Sequence, residues 1–267
     1  MHTIQAVIFD WAGTTIDYGS LGPMGVFVEV FARFGIDLSI AEARGPMGLP
    51  KWHHIRALLE LPRIADAWES AQGTPADDAA ATRIYEQFVP ANIAIAAASA
   101  TLIPGTAATI EALRKRQIMI GSTTGYTRDI MAEILPVAAQ QGYRPDNLVC
   151  AGDVPQGRPT PLMMYRCLLE LAAYPVWACV KVDDTEPGIR EGLDAGCWTV
   201  GVSVSGNSMG FSEDEVAAMS PTDYQQHRQR AIQALRNAGA HYVIDSVADL
   251  LPVIDAIEQR LLQGERP

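Results

Sequence analysis

Asp10 stands where the apolar run Ala6-Val7-Ile8-Phe9 stops, and it opens the turn Asp10-Trp11-Ala12-Gly13-Thr14-Thr15. A carboxylate in that place can serve as a nucleophile, or it can simply close the turn on its own backbone. Three other stretches offer it partners. Gly121-Ser122-Thr123-Thr124-Gly125 presents hydroxyls and backbone N–H groups ahead of a helical pattern, which suits a phosphate and serves equally as an ordinary helix cap. Gly157-Arg158-Pro159-Thr160-Pro161 is a rigid turn holding one guanidinium, a bidentate partner for a phosphoryl group or an exposed surface arginine. Val182-Asp183-Asp184-Thr185 sets two carboxylates side by side after an apolar stretch, where they are costly to hold unless solvated or matched by a cation. Oxygen donors of this kind suit Mg²⁺. Lysines number only three, Lys51, Lys115 and Lys181, so amine chemistry has few candidates. Lys51 follows Pro50 at a helix start, where the positive end of the dipole disfavours the charged amine. On spacing alone it reads as a solvated surface lysine.

These residues need elements to hold them. Short apolar runs at 6–9, 118–120, 148–150, 176–182, 198–202 and 242–244 read as strands buried on both faces of a parallel sheet. Helical patterns at 106–116, 128–140, 161–172, 186–195 and 247–262 alternate with them, the last with Ser246 as its N-cap. Strand–helix alternation of this length predicts an α/β fold, a doubly wound and mostly parallel sheet. Residues 19–100 break the alternation. They hold no convincing strand, and helical patterns lie at 51–60, 64–72, 77–89 and 91–100, the last two divided at Pro90. Val26, Phe27, Val30, Phe31 and Phe34 mark another helix face. The expected organisation is an α/β core of residues 1–18 and 101–267 with an inserted all-helical cap of 19–100, placed over the sheet's carboxyl end where ligands of open α/β sheets bind.

With 267 residues, 48% hydrophobic and 19% charged, the chain is globular and long enough for a sizeable core without staples. A net charge of −11 makes it a poor partner for nucleic acid or anionic membrane, while a local cationic pocket for a small anion stays open. Cys150, Cys167, Cys179 and Cys197 form no C-x-x-C pair and each borders an apolar stretch, which suits reduced thiols in a cytoplasmic protein. The opening residues show no basic segment followed by a long apolar run, so no signal peptide is expected, and no apolar run reaches membrane-spanning length.

D-x-x-G-T-T, then a strand-end Ser/Thr, then a basic residue, then D-D on a later strand, resembles the haloacid dehalogenase superfamily, and the helical insertion resembles its C1 cap. The resemblance implies that Asp10 is the nucleophile that becomes an aspartyl phosphate. Thr124 and Arg158 would hold phosphoryl oxygens, and Asp10, Asp184 and the Ala12 carbonyl would hold Mg²⁺. Phosphatases of the superfamily carry an acid/base Asp two residues after the nucleophile, where this chain has Ala12. Ordinary ester hydrolysis is thereby disfavoured. The stretch Met47-Gly48-Leu49-Pro50-Lys51-Trp52-His53-His54, read with Asp10–Thr15, Gly121–Tyr126 and Gly157–Pro159, resembles the phosphonoacetaldehyde hydrolase (phosphonatase) family over nearly the whole chain. That implies Lys51 as the residue forming an imine with an aldehyde substrate, His54 as an aid to proton transfer, and Met47, Gly48 and Tyr126 lining the site, with no assignment for Ser20. It also implies a small phosphonate substrate and a homodimer built through the caps. The face around Phe27, Val30, Phe31 and Phe34 would either contribute to the dimer or pack inside the cap. Two positions depart from the wider superfamily: 183 is Asp where many have Gly, and 188 is Gly where many have Asp, so Asp183 could replace the second carboxylate. A C1-capped phosphatase or phosphomutase acting on a sugar phosphate is the alternative enzyme, and a non-catalytic small-anion sensor the alternative of another class.

Overall fold

The computed structural model describes residues 4–267. Met1, His2 and Thr3, the start of the stretch read for a leader and of the 1–18 segment, lie outside the described residues. β1 (Ala6–Phe9) is followed by five helices: α1 (Gly22–Arg33), α2 (Ile40–Arg44), α3 (Lys51–Leu59), α4 (Pro62–Gln72) and α5 (Asp78–Ala96). Then come α6 (Thr106–Lys115), β2 (Met119–Thr124), α7 (Arg128–Gln140), β3 (Val149–Cys150), α8 (Leu162–Leu171) and β4 (Cys179–Asp183). The chain ends with α9 (Glu186–Ala195), β5 (Trp198–Val202), α10 (Glu213–Ala218), α11 (Pro221–Asn237), β6 (Tyr242–Ile244) and α12 (Leu250–Leu262).

The strands form one six-stranded sheet in the order β3-β2-β1-β4-β5-β6, every pairing parallel. Alternation along β1 explains why its run is apolar throughout. Val7 and Phe9 enter one buried cluster with residues from α6, α7 and α12, while Ala6 and Ile8 enter the other with α8. The chain builds β2 and β3 on one side of β1 and then crosses to β4 on the other. The switch point of this doubly wound sheet therefore lies between β1 and β4, and a crevice opens beyond their carboxyl ends. Asp10 follows β1, Asp183 ends β4 and Thr124 ends β2, so three of the four chemically interesting stretches meet there.

The five helices between β1 and α6 have an apolar cluster of their own, centred on Phe27, Phe31, Leu58, Trp68, Ile84 and Phe88. Phe27, Val30 and Phe31 are wholly buried in it. Of the two readings of that face, packing inside the block is the one this burial supports, with Phe34 only partly covered.

Other expectations also change. Pro90 does not divide two helices. Ile84, Phe88, Asn92 and Ala96 share one buried face, and their packing on α1 and α3 carries α5 across a residue that costs one backbone hydrogen bond. The strand read at 118–120 runs on to Thr124, so the Gly121–Thr124 stretch is strand and not loop. The apolar run from Val176 begins with a short 3₁₀ turn, and β4 starts only at Cys179. Helices α2, α10 and α11 lie outside the expected helical patterns. Helix α11 buries only Ala231, Ile232 and Leu235, too few apolar positions to mark a periodic stripe, and relies on the Ser220 cap. No helix of the described residues is long and apolar enough to cross a membrane.

Candidate active site

One small cavity lies between the carboxyl end of the sheet and the helical block. Asp10, Ala12, Thr124, Gly125, Tyr126, Arg158 and Thr185 line it from the sheet side, and Met47, Gly48, Leu49 and Lys51 from the block, with Ser20 at the link between them. Of the residues singled out from the sequence, Asp10, Ala12, Met47, Gly48, Lys51, Thr124, Tyr126 and Arg158 converge on this space. His54 does not line it. It lies one turn behind Lys51 on α3, stacked on Phe27 at 4.1 Å, with Nε2 held at 2.8 Å by the Ala43 carbonyl. That contact makes Nε2 the donor and leaves Nδ1 as the free basic nitrogen. Burial pushes the His54 pKa well below the ordinary imidazole value, so the ring is neutral. His53 is exposed.

Lys51 is not the solvated lysine that its spacing suggested; it is 5% exposed. Its Nζ lies 5.2 Å from the Tyr126 ring centre, 5.7 Å from that of Phe27 and 3.6 Å from the Met47 sulfur. None of these partners is a carboxylate. Burial lowers its pKa to about 8, with Asp10 acting in the opposite direction. A neutral amine is therefore accessible near neutral pH. The Tyr126 phenol is pushed well above its usual range by burial and stays protonated.

Asp10 is 6% exposed. Burial and the nearby Asp183 raise its pKa to about 6, and Arg158 opposes them. The guanidinium lies 2.8 Å from Asp10 Oδ1, 3.2 Å from Asp183 and 3.0 Å from Glu191. Lys181, inside β4, lies 3.1 Å from Asp183 and 3.2 Å from Glu191. The Thr123 hydroxyl ties this group together, donating to Glu191 at 2.8 Å and accepting from Lys181 at 2.7 Å and from Arg158 at 3.1 Å. Three buried acids and two buried cations thus share one network. Glu191 and Thr123 were not foreseen. The available signal was Lys181, since a lysine within a buried parallel strand needs counter-charges, and α9 packs on β4 to supply them.

Asp184 differs from its neighbour. Its Oδ1 accepts from the Thr14 hydroxyl at 3.1 Å and its Oδ2 from the Asn207 backbone N–H at 2.7 Å, both uncharged donors. Burial first, then Asp10 and Asp183, raise its pKa well above the carboxylate range. A carboxylate in that position is short of a cation. Asp10, Asp183 and Asp184 each bring an oxygen within 4.8 Å of the others, a hard donor set that fits a divalent cation of the Mg²⁺ type. Asp183 is already matched by Arg158 and Lys181 and accepts from the Thr185 N–H and hydroxyl, so the uncompensated demand rests on Asp10 and Asp184. A Cβ on Gly188 would stand 2.0 Å from the Asp183 carboxyl carbon. The extra acid at 183 and the missing side chain at 188 are therefore one spatial exchange.

Gly48 is where the block meets the sheet domain. Its φ is +93°, and a Cβ there would come within 2.3 Å of Thr185 Oγ1. Gly48→Ala is expected to lower kcat/KM by about 10²-fold, the scale of an ångström-size misplacement of the Lys51 side of the site. Steady-state kinetics and a thermal melt on the same sample check it, and an unimpaired kcat/KM would show that this close approach is dispensable.

A family model described as haloacid dehalogenase-like hydrolase matches residues 4–196. The phosphonoacetaldehyde hydrolase of Paraburkholderia xenovorans is 57% identical over 267 residues, covering 100% of both chains. That of Vibrio cholerae is 48% identical over 266 residues, 99% of this chain and 98% of the relative. The crystal structure of a phosphonoacetaldehyde hydrolase-like protein from Oleispira antarctica superposes with a TM-score of 0.97 at 48% identity, covering 99% of this chain and 96% of that one.

Proposed function

For a chain that belongs to the haloacid dehalogenase-like hydrolases, and within them to the phosphonoacetaldehyde hydrolases, we propose hydrolysis of the carbon–phosphorus bond of phosphonoacetaldehyde to acetaldehyde and phosphate. The observation that carries this reading is the pairing of a buried amine, Lys51, with a buried carboxylate, Asp10, across one cavity that offers only Ala12 where an ester-cleaving relative would have an acid.

The chemistry follows from the leaving group. Cleaving C–P directly would expel a carbanion. Lys51 avoids this: its neutral Nζ adds to the aldehyde carbon, water departs, and a protonated imine forms. Asp10 then attacks phosphorus with one carboxylate oxygen. As the new O–P bond forms, the C–P electron pair moves into the iminium and leaves a neutral enamine. Protonation of the enamine carbon and hydrolysis of the resulting imine return Lys51 and release acetaldehyde. A second water hydrolyses the aspartyl phosphate to phosphate and Asp10. His54 Nδ1, behind Lys51 and neutral, suits proton transfer during imine formation. Tyr126 supports the amine from the sheet side, Met47 and Gly48 close over it, and Thr124 and Arg158 receive the phosphoryl oxygens.

Asp10 and Asp184, with the Ala12 carbonyl, would hold Mg²⁺, which when bound would neutralise charge gathered between carboxylate and phosphoryl group. Residues 19–100 act as a cap that shuts the imine away from bulk water over a core of 1–18 and 101–267. Four free, buried cysteines suit a reducing, cytoplasmic setting, and a homodimer would have to use a cap surface other than the buried α1 face.

The test is joint measurement of acetaldehyde and phosphate from phosphonoacetaldehyde. Equimolar release is expected, and chelation of divalent cations with EDTA should stop it without stopping imine formation, read as a borohydride-trapped adduct. Phosphate release from sugar phosphates with none from phosphonoacetaldehyde would overturn the reading.

A further inference from the structure

The loop after β5, residues 203–211, touches the metal-type carboxylate on one side and the cap on the other. Asn207 donates its backbone N–H to Asp184 Oδ2 at 2.7 Å. The Ser205 hydroxyl donates to the Gly13 carbonyl at 3.2 Å, in the turn that follows the nucleophile. On the opposite side of the same loop sits Arg44, at the end of α2 in the cap. One guanidinium nitrogen donates to Asn207 Oδ1 at 3.1 Å, to the Asn207 carbonyl at 3.4 Å and to the Gly19 carbonyl at 2.8 Å, and the other donates to the Gly210 carbonyl at 2.8 Å. The Asn207 amide donates back to the Arg44 carbonyl at 3.4 Å. Gly210 is the seat of this contact: at a φ of +72°, a Cβ there would lie 2.8 Å from Arg44 Nε. Gly19 belongs to the linker between core and cap, and its own N–H donates to the Ser205 carbonyl at 2.8 Å.

All of Arg44's acceptors are uncharged and they come from separate parts of the chain, the linker at Gly19 and two positions of one short loop, Asn207 and Gly210. Only a planar fork with several donors reaches them together; an ammonium group would not. Cap, linker, loop and Asp184 are thereby joined through two consecutive hydrogen-bonded contacts, and neither Arg44 nor Asn207 lines the cavity.

We propose that Arg44 is a positioning residue: by seating on Asn207 and Gly210 when the cap is closed, it fixes the loop that orients the Asp184 carboxylate, so that cap closure and cation binding at Asp184 favour one another. The proposal rests on the reading of Asp184 as a cation-holding residue. Reciprocity follows from linkage, since whatever closure adds to cation affinity, the cation adds to closure.

The test uses the whole protein with Mg²⁺ as probe and two readouts that need no turnover: Mg²⁺ affinity by calorimetry, and hydrogen exchange of residues 44–50 and 203–211 with and without Mg²⁺. In the wild type, Mg²⁺ should slow exchange in both segments. Arg44→Ala should weaken Mg²⁺ binding by about 5-fold or more, within the usual range of inter-site coupling, and should abolish the Mg²⁺ effect on 44–50. Asn207→Ala keeps the backbone donor to Asp184 and removes only the side-chain contacts. It should shift both readouts in the same direction by less, and the double variant should be no worse than Arg44→Ala. A role limited to gluing the cap down would lower the melting temperature but leave Mg²⁺ affinity alone. Wild-type Mg²⁺ affinity in folded Arg44→Ala, or in Asn207→Ala should the former not fold, overturns the coupling. Absence of any Mg²⁺ binding by the wild type instead defeats the assignment of Asp184.

Discussion

Lys51→Arg is expected to lose C–P cleavage by at least about 10⁴-fold, the scale on which removal of a covalent nucleophile lowers turnover, while the protein stays folded. Guanidinium keeps the positive charge but holds its proton, so no imine forms. In the wild type, borohydride with phosphonoacetaldehyde should add a two-carbon unit to one lysine and inactivate the enzyme. Peptide mapping has three lysines to separate. Lys115 is exposed and paired with Glu111 at 2.7 Å, and Lys181 is wholly enclosed by Asp183, Glu191 and Thr123. Lys51 alone lines the cavity. Trapping should speed up as pH rises through about 8, where burial places the Lys51 amine. An adduct on another lysine, or near wild-type turnover by Lys51→Arg, removes the imine from the mechanism.

Asp10→Asn should separate the two halves of the reaction. The amide is a poor nucleophile toward phosphorus, so phosphate release should fall by at least about 10⁴-fold, while the borohydride adduct on Lys51 should still form. Because the Asp10 charge supports the protonated amine, its loss should move the pH dependence of trapping to lower pH. Stability should move as well. In metal-free protein the Asp10 pKa is about 6, above the 3.8 of an unperturbed aspartate, so between those values the folded state holds a proton the unfolded chain has released. Wild-type stability therefore gains from this group as pH falls through about 6, and above it the buried charge costs up to about 3 kcal/mol. With EDTA present, Asp10→Asn should melt higher than wild type at pH 8, and the gap should close on acidification toward pH 4. A gap that widens on acidification would show that Asp10 is held by Arg158 more strongly than burial opposes it.

The sheet was legible because each strand is a short apolar run, a pattern that parallel strands covered on both faces impose on sequence. Asp10, Thr124 and Asp184 could be placed at strand ends for the same reason. Helix α11 was not legible, because a helix lying on the surface with three buried side chains has little periodicity to show. Pro90 misled because a local rule was overridden by packing along a 19-residue helix. The chemistry of Lys51 was invisible from spacing and emerged only by resemblance, since its surroundings are supplied by Phe27 of α1, by Met47 and by Tyr126 on the sheet side. Glu191 is the clearest omission: nothing local to Ile189-Arg190-Glu191-Gly192 says that this acid, of several on α9, turns inward. That is decided by Lys181 on the strand beneath, some ten residues earlier.

The two chain crossings between the sheet and the helical block lie side by side. Ile16 and Leu102 form an antiparallel bridge, and Ile103 and Asp17 donate to Thr15 and Thr101 across it at 3.0 Å each. This bears on how the protein assembles. Ala6 must find Met119, roughly a hundred residues away, before the central pair of strands exists. A helical block that gathers around its own apolar cluster brings its two ends together, and the separation that β1 and β2 must then close shrinks to roughly thirty residues on the core side. By loop-closure scaling that lowers the entropic cost by about 1 kcal/mol. A block that folds first thus offsets the long sequence separation it imposes on the pairing of β1 with β2. Helical blocks of quite different length could be spliced at the same two crossings with little effect on how fast the sheet forms.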